Sequence, residues 1–307
     1  KVKARVSDRA GAGTLYKIFV YNTKNDSDGG AWRHRTQDTS WYNEGVSEIR
    51  GARKEFPSVA VIVVTNNELV IYDGDDPNLS MWMVFNTISP DGTSQGMGIP
   101  SQAGRPMIQI QGVDKVVHML NGILVTGTKN EGSNYGQPVI NFINEKVLRM
   151  DSQGGEGGEW IGNIAQRNDS LGYRHVTHDY VIKASQVNDI AMTVLPNAPI
   201  DETTGLPIPT IAVATPGGFS VIKDDGSVID KGVSSTTTNE VAWYKGKYLL
   251  GTGPEYWALY RDISLEETGG YLSNTADLYS AGNNATWDKP QPTGKETKVI
   301  AAGDLIA

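Results

Sequence analysis

The apolar positions between residues 58 and 86 fall into three runs, SVAVIVV, LVIYD and MWMVFN, with the polar stretches TNNE and DGDDPNLS between them. A strand covered on both faces reads as an unbroken apolar run, and its flanking strands alternate more weakly. The pattern returns in VDKVVHML, an Asn-Gly turn and ILVTGTK, followed by PVINFIN and KVLRM, over residues 113–150. It returns again in PTIAVAT, a PGG turn and FSVIKDDGSVIDKG (209–232), in NEVAWYKGKYLLGTGPEYWALYR (239–261) and in TKVIAAGDLIA (297–307), with room for another unit in VIKASQVNDIAMTVL (181–195). Asn-Gly between β-rich runs is a strong hairpin signal.

A constant local motif at irregular spacing suits small antiparallel sheets joined by variable loops. The expectation is an all-β fold, a β-propeller of five to seven blades with a Trp-rich N-terminal extension; β-sandwich modules are the alternative. The extension spans residues 1–55, an alternating strand at 14–21 followed by a polar, aromatic loop segment. Residues 56–307 form the propeller-like domain, whose last copy reads as incomplete. Residues 151–175 read as an insertion on one face, with IGNIAQRND able to form one short helix. Lys1 at the start points to a processed product or a fragment of a longer chain.

Composition narrows the chemistry. The 35 glycines and 14 prolines among 307 residues favour many turns over long helices. A net charge of -8 opposes general attraction to nucleic acid or anionic lipid, so no specific nucleic-acid binding is expected. The absence of cysteine removes disulfides, thiolate catalysis and zinc-thiolate sites, and no apolar run reaches the length of a membrane span.

Candidate sites each carry a plain alternative. Asp73, Asp75 and Asp76 in DGDDPN resemble the start of an oxygen-ligand shell for a structural calcium ion. Asp and Asn also cap turns through their own backbone, and the later ligands of a twelve-residue calcium loop are missing. Trp32, Trp41 and Tyr42 either plug a core or stack on a glycan or a neighbouring subunit. His175 and His178 (HVTH) lack a nameable third ligand, and His118 in VVHML reads as core or channel lining. A glycosidase would need paired carboxylates, with Glu159 or Glu255 as remote partners, and nothing in the sequence selects them. KDDGSV reads as a turn, and no phosphate loop or nucleophile elbow is present.

GGAWRHRTQDTSWYNEG, the whole 58–86 stretch and NGILVTGTKNEG resemble segments of tail and virion structural proteins of short-tailed, T7-like phages, including marine cyanophages. The match is carried by IYDGDDPNLSMWMVFN (71–86) beside the Trp-rich residues 29–45, and it covers roughly the first 130 residues. The resemblance implies a virion location in the tail, at a nozzle, tube end or fibre, and a non-enzymatic role. It also implies ring-forming copies, other tail proteins as partners, and contact with a host surface glycan or passing DNA. It transfers no catalytic residue. The alternative function is a carbohydrate-binding or carbohydrate-active propeller.

Overall fold

In the computed structural model, residues 14–87, 106–108, 115–128, 137–152, 158–175, 181–231, 237–246, 248–253, 256–260 and 276–280 are the ones described. The three runs of the 58–86 stretch become β2 (Val59–Thr65), β3 (Glu68–Asp73) and β4 (Met81–Asn86), and β1 (Leu15–Asn22) pairs antiparallel with β2 to make a four-stranded sheet in chain order. β2 shows no alternation because its two faces serve two cores. Ala60, Ile62 and Val64 enter the main core, while Val61 and Val63 join Val70, Tyr72 and Val84 on the other face.

The second sheet runs in chain order through β5 (Lys115–Leu120), β6 (Ile123–Thr128), β7 (Gln137–Asn141), β8 (Val147–Ser152), β9 (Gly158–Trp160) and β10 (Tyr173–His175). β11 (Val181–Ile182) adds parallel to β8. Asn121 and Gly122 between β5 and β6 both take positive φ, 50° and 73°, as a two-residue hairpin turn of that kind requires. The stretch read as an insertion thus extends this sheet through β9 and β10, with a short 3-10 turn at Ile164–Gln166.

In the third sheet β12 (Asp189–Thr193) is followed by a small hairpin, β13 (Ile200–Asp201) and β14 (Leu206–Pro207). The sheet continues through β15 (Thr210–Thr215), β16 (Gly218–Ile222) and β17 (Val228–Lys231), in the order β12-β15-β16-β17. The fourth contains β18 (Glu240–Tyr244), β19 (Tyr248–Thr252), β20 (Tyr256–Tyr260) and β21 (Ala276–Ser280). Three apolar layers join successive sheets. Ile62, Leu69 and Phe85 meet Leu124 and Ile140 in the first, and Val116 and Val125 meet Ile190 and Val213 in the second. In the third, Ala191, Ala212 and Ala214 leave room for Val241 and Leu249. The leading strands touch in turn, β1 on β5, β5 on β12 and β12 on β18.

The all-β, multi-sheet reading holds, but the expected five-to-seven-bladed propeller does not. No described sheet closes on itself, and no strand pairing among the described residues joins the fourth sheet to the first. Repeated hairpins specify which neighbours pair within a sheet; closure depends on the angles between sheets, which hydrophobic periodicity does not encode. The expected last copy at 297–307 lies outside the described residues, and no helix among the described residues is long and apolar enough to cross a membrane.

Candidate functional site

The aromatic segment after β1 is a clamp built from buried polar bonds. Asp26 is nearly sealed, and its Oδ2 accepts from the Tyr21 hydroxyl at 2.5 Å and the Trp32 indole N–H at 2.8 Å. Its Oδ1 accepts from the Asn121 backbone N–H at 2.8 Å. Burial raises the Asp26 carboxyl above its ordinary range, against the lowering effect of these donors. The Asn121 side chain accepts from Ser27 N at 2.9 Å and donates to Ser27 Oγ at 3.0 Å and Pro207 O at 2.9 Å. Arg35 reaches Thr204 O at 3.0 Å. One short segment therefore ties the first sheet to the β5–β6 turn and to the β13–β14 hairpin.

Trp32 and Trp41 are fully buried, which leaves neither indole a face for a sugar ring. Trp32 packs 5.2 Å from Phe56, and Trp41 packs 5.4 Å from Trp82 while donating to Phe142 O at 2.9 Å. Tyr42 is half-buried, with the Lys54 ammonium 5.6 Å from its ring centre. Trp32 and Trp41 thus act as core plugs, with Tyr42 packed partly buried against the same core, and this packing explains why a loop segment carries so much aromatic surface.

The acidic turn is a latch to the chain before β2. Arg53 Nη1 donates to both Asp73 oxygens at 3.0 Å and to Asp75 Oδ2 at 2.8 Å. Asp75 also accepts from Ser58 N at 2.8 Å, Val59 N at 3.3 Å and the Ser58 hydroxyl. Hydrogen bonds to Ser58, together with Arg53, hold its carboxyl below the ordinary range despite partial burial. Asp76 turns the other way, accepting from Asn78 N at 2.8 Å and from the Ser80 hydroxyl. Gly74 is required by proximity, since a Cβ there would sit 2.6 Å from Val59 O. Among the described residues no group of three or more His, Asp or Glu side chains is arranged to hold a metal ion.

Two arginines that the sequence did not single out are the most buried charges described. Arg167 gives a bidentate pair to Glu44 at 2.7 and 3.1 Å and donates to the carbonyls of Val84, Ile49 and Ile164. Arg50 lies 4.7 Å over Trp82 and donates to the carbonyls of Trp41, Gly51, Trp82 and Lys54, with Glu44 3.8 Å from its Nε. Burial lowers Arg50 to about 10; Glu44 opposes that fall and Arg167 adds to it. Their sequence contexts, SEIRGA and IAQRND, carry no signal of burial, because most of the partners are backbone carbonyls.

The seam where the leading strands meet holds the remaining displaced groups. His118 on β5 stacks 5.0 Å from Phe19 of β1; its Nδ1 is sealed without a hydrogen-bond partner, and burial, with Lys17 adding, lowers it to about 4. Asp189 at the start of β12 accepts from Val241 N at 3.2 Å, and burial raises it to about 6 against the pull of Lys17. The expectation that His118 lines a core or channel thus finds it at the seam. His34 instead meets Glu55 at the surface, 3.3 Å away, and Glu159 pairs with Arg174 at 2.6 Å on an exposed edge. His178 and Glu255 lie outside the described residues.

One apolar surface stands apart. The outer-face cluster of the first sheet runs out to β1, where Ile18 pairs with Val63 and Val20 with Val61. Ile18 is 41% exposed and Val20 60%, on a strand whose second edge has no pairing partner among the described residues.

No family model matches the chain, and no curated protein matches it. Among the solved structures that match is Hsv2p of Kluyveromyces lactis, at 12% identity over 70% of this chain and 75% of that one, with a TM-score of 0.24. Another is the extracellular domain of a one-component system from B. thetaiotaomicron, at 10% identity over 72% and 31%, TM-score 0.26. A third is a humanized, inhibitor-bound Polycomb Repressive Complex 2 of Chaetomium thermophilum, at 11% over 86% and 57%, TM-score 0.27. Likeness at this level carries nothing about fold or activity. The expected identity as a T7-like phage tail or nozzle protein is corrected on the fold: the propeller the resemblance implied does not form, since no described sheet closes on itself.

Proposed function

We propose that this chain is a non-enzymatic structural module that assembles with further copies of itself through the open edge of β1. The observation that carries this reading is the exposed Ile18–Val20 strip, continuous across the sheet with the buried cluster of Val61, Val63, Val70, Tyr72 and Val84. An apolar strip on an unpaired strand edge is a template for another chain unless charge or a covering element blunts it. Four carboxylates support the same role, because Asp26, Glu44, Asp73 and Asp75 are spent on pinning loops to sheets.

The test is sedimentation of the parent chain and of an Ile18→Lys/Val20→Lys double variant over a range of concentrations. The parent should form a discrete higher-order species and the variant should remain monomeric with an unchanged melting temperature. A parent that stays monomeric throughout, or a variant that assembles equally well, overturns the reading. Release of reducing ends from a polysaccharide by the purified chain would overturn its non-enzymatic part.

A further inference from the structure

Asn121-Gly122 joins a chemically reactive dipeptide to a buried, load-carrying turn. In a flexible chain the Gly122 backbone nitrogen attacks the Asn121 side-chain carbon, gives up its proton to solvent base, and expels the amide nitrogen as ammonia. Water then opens the resulting succinimide to aspartate or isoaspartate. The attack needs a free side chain and a free backbone nitrogen.

The fold withholds both. Asn121 is 2% exposed, its Oδ1 accepts from Ser27 N, and its Nδ2 donates to Ser27 Oγ and Pro207 O. The Gly122 N–H donates to the Tyr21 hydroxyl at 3.2 Å, and Gly122 O accepts from Phe142 N at 3.0 Å. The groups that shield the dipeptide come largely from the aromatic clamp, so its protection lasts only as long as the clamp is docked.

We propose that Asn121 is a latent modification site, closed in the docked fold and converted once the clamp lets go, and that conversion prevents the clamp from returning. Aspartate at 121 would turn a carboxylate toward the Pro207 carbonyl, where an N–H donor now sits, and would add a second negative charge on the residue whose backbone N–H already bonds the buried Asp26 carboxylate. Isoaspartate would insert a methylene into a two-residue turn whose register is fixed by φ of 50° and 73°. The site therefore records, in one direction, the time the clamp has spent open.

The experiment follows amide loss at Asn121 by peptide mapping of the full chain held at mildly alkaline pH, in buffer and in urea. Loss in buffer should be slower by about tenfold or more, because it proceeds only through the open fraction. Tyr21→Phe, which frees the Gly122 N–H, should speed loss in buffer. Asn121→Asp should yield a chain that trypsin cuts at Arg33 or Arg35 under conditions where the parent is resistant. Equal loss in buffer and urea overturns the protection. Should Asn121→Asp fail to fold, the urea-treated parent supplies the same test, since its converted fraction must remain trypsin-sensitive after refolding while the unconverted fraction recovers. Recovery of both fractions overturns the one-way step.

Discussion

Replacing Glu44 by glutamine removes the one carboxylate paired, among the described residues, with two almost fully buried guanidinium groups, while preserving shape. Arg167 and Arg50 have side chains 0% and 1% exposed, and Glu44 retains 13%. A unit pair near 4 Å is worth about 4 kcal/mol in gross terms at an effective dielectric of about 20. The glutamine amide can still accept one bond, and the arginines keep their carbonyl partners, so part of that is retained. Its NH2, however, would face a guanidinium donor where a carboxylate oxygen now accepts at 3.1 Å or less. Breaking a buried pair costs about 3–5 kcal/mol, and the residual exposure of Glu44 places this case near the lower end, about 3 kcal/mol. Urea unfolding followed by tryptophan fluorescence reads it, with Trp41 and Trp82 beside the site. A double-mutant cycle with Arg167→Met isolates the pair from general disruption. A loss below about 1 kcal/mol, the range of a solvent-exposed pair, would refute the reasoning.

The seam predicts opposing pH slopes. His118 has a folded value near 4 against an ordinary 6.5, so its contribution is present above 6.5 and is lost as pH falls toward 4. Asp189 is raised from 3.8 to about 6, so its contribution is present below 3.8 and is lost as pH rises through 6. Asp189→Asn should therefore steepen the loss of stability on acidification from 6.5 to 4, and His118→Gln should steepen the loss on going from 4 to 6; melting curves across this range check both, and parallel profiles for all three proteins would contradict them. Asp75→Ala removes acceptors from Arg53, Ser58 and Val59 together, so it should cost about 1–2 kcal/mol, more than the loss of one turn bond. Added calcium should leave the parent's melting temperature unchanged if the turn is a latch; a calcium-dependent rise abolished by Asp75→Ala would restore the metal reading.

The sheets were legible where neighbouring residues decide the outcome. SVAVIVV, LVIYD and MWMVFN became β2, β3 and β4 because unbroken apolar runs between turn residues have few alternatives, and Asn121-Gly122 produced the expected hairpin through its two positive φ angles. β1 was visible as a strand, but its pairing with β2 was not, since the long aromatic loop between them gives no turn signal. The acidic turn looked like a site because sequence shows three carboxylates and hides Arg53, which lies 20 residues from Asp73. Arg167 was invisible for a related reason: its carbonyl partner at Val84 is 83 residues away, and carbonyls have no sequence signature. Closure of the sheets into a propeller was read from repetition, which fixes strands and leaves the angles between sheets undetermined.

The clamp also sets a timetable for synthesis. Trp41 donates to a carbonyl 101 residues downstream, and Arg35 to one 169 residues downstream. At roughly 5–20 residues per second on the ribosome, the second partner emerges on the order of ten seconds or more after Arg35. During that interval Trp32 and Trp41, which finish fully buried, have no completed cavity to enter. Among the described hydrogen bonds, the stretch that ties these sheets together thus waits longest for a partner, and a chaperone that holds aromatic surface would find its binding site there.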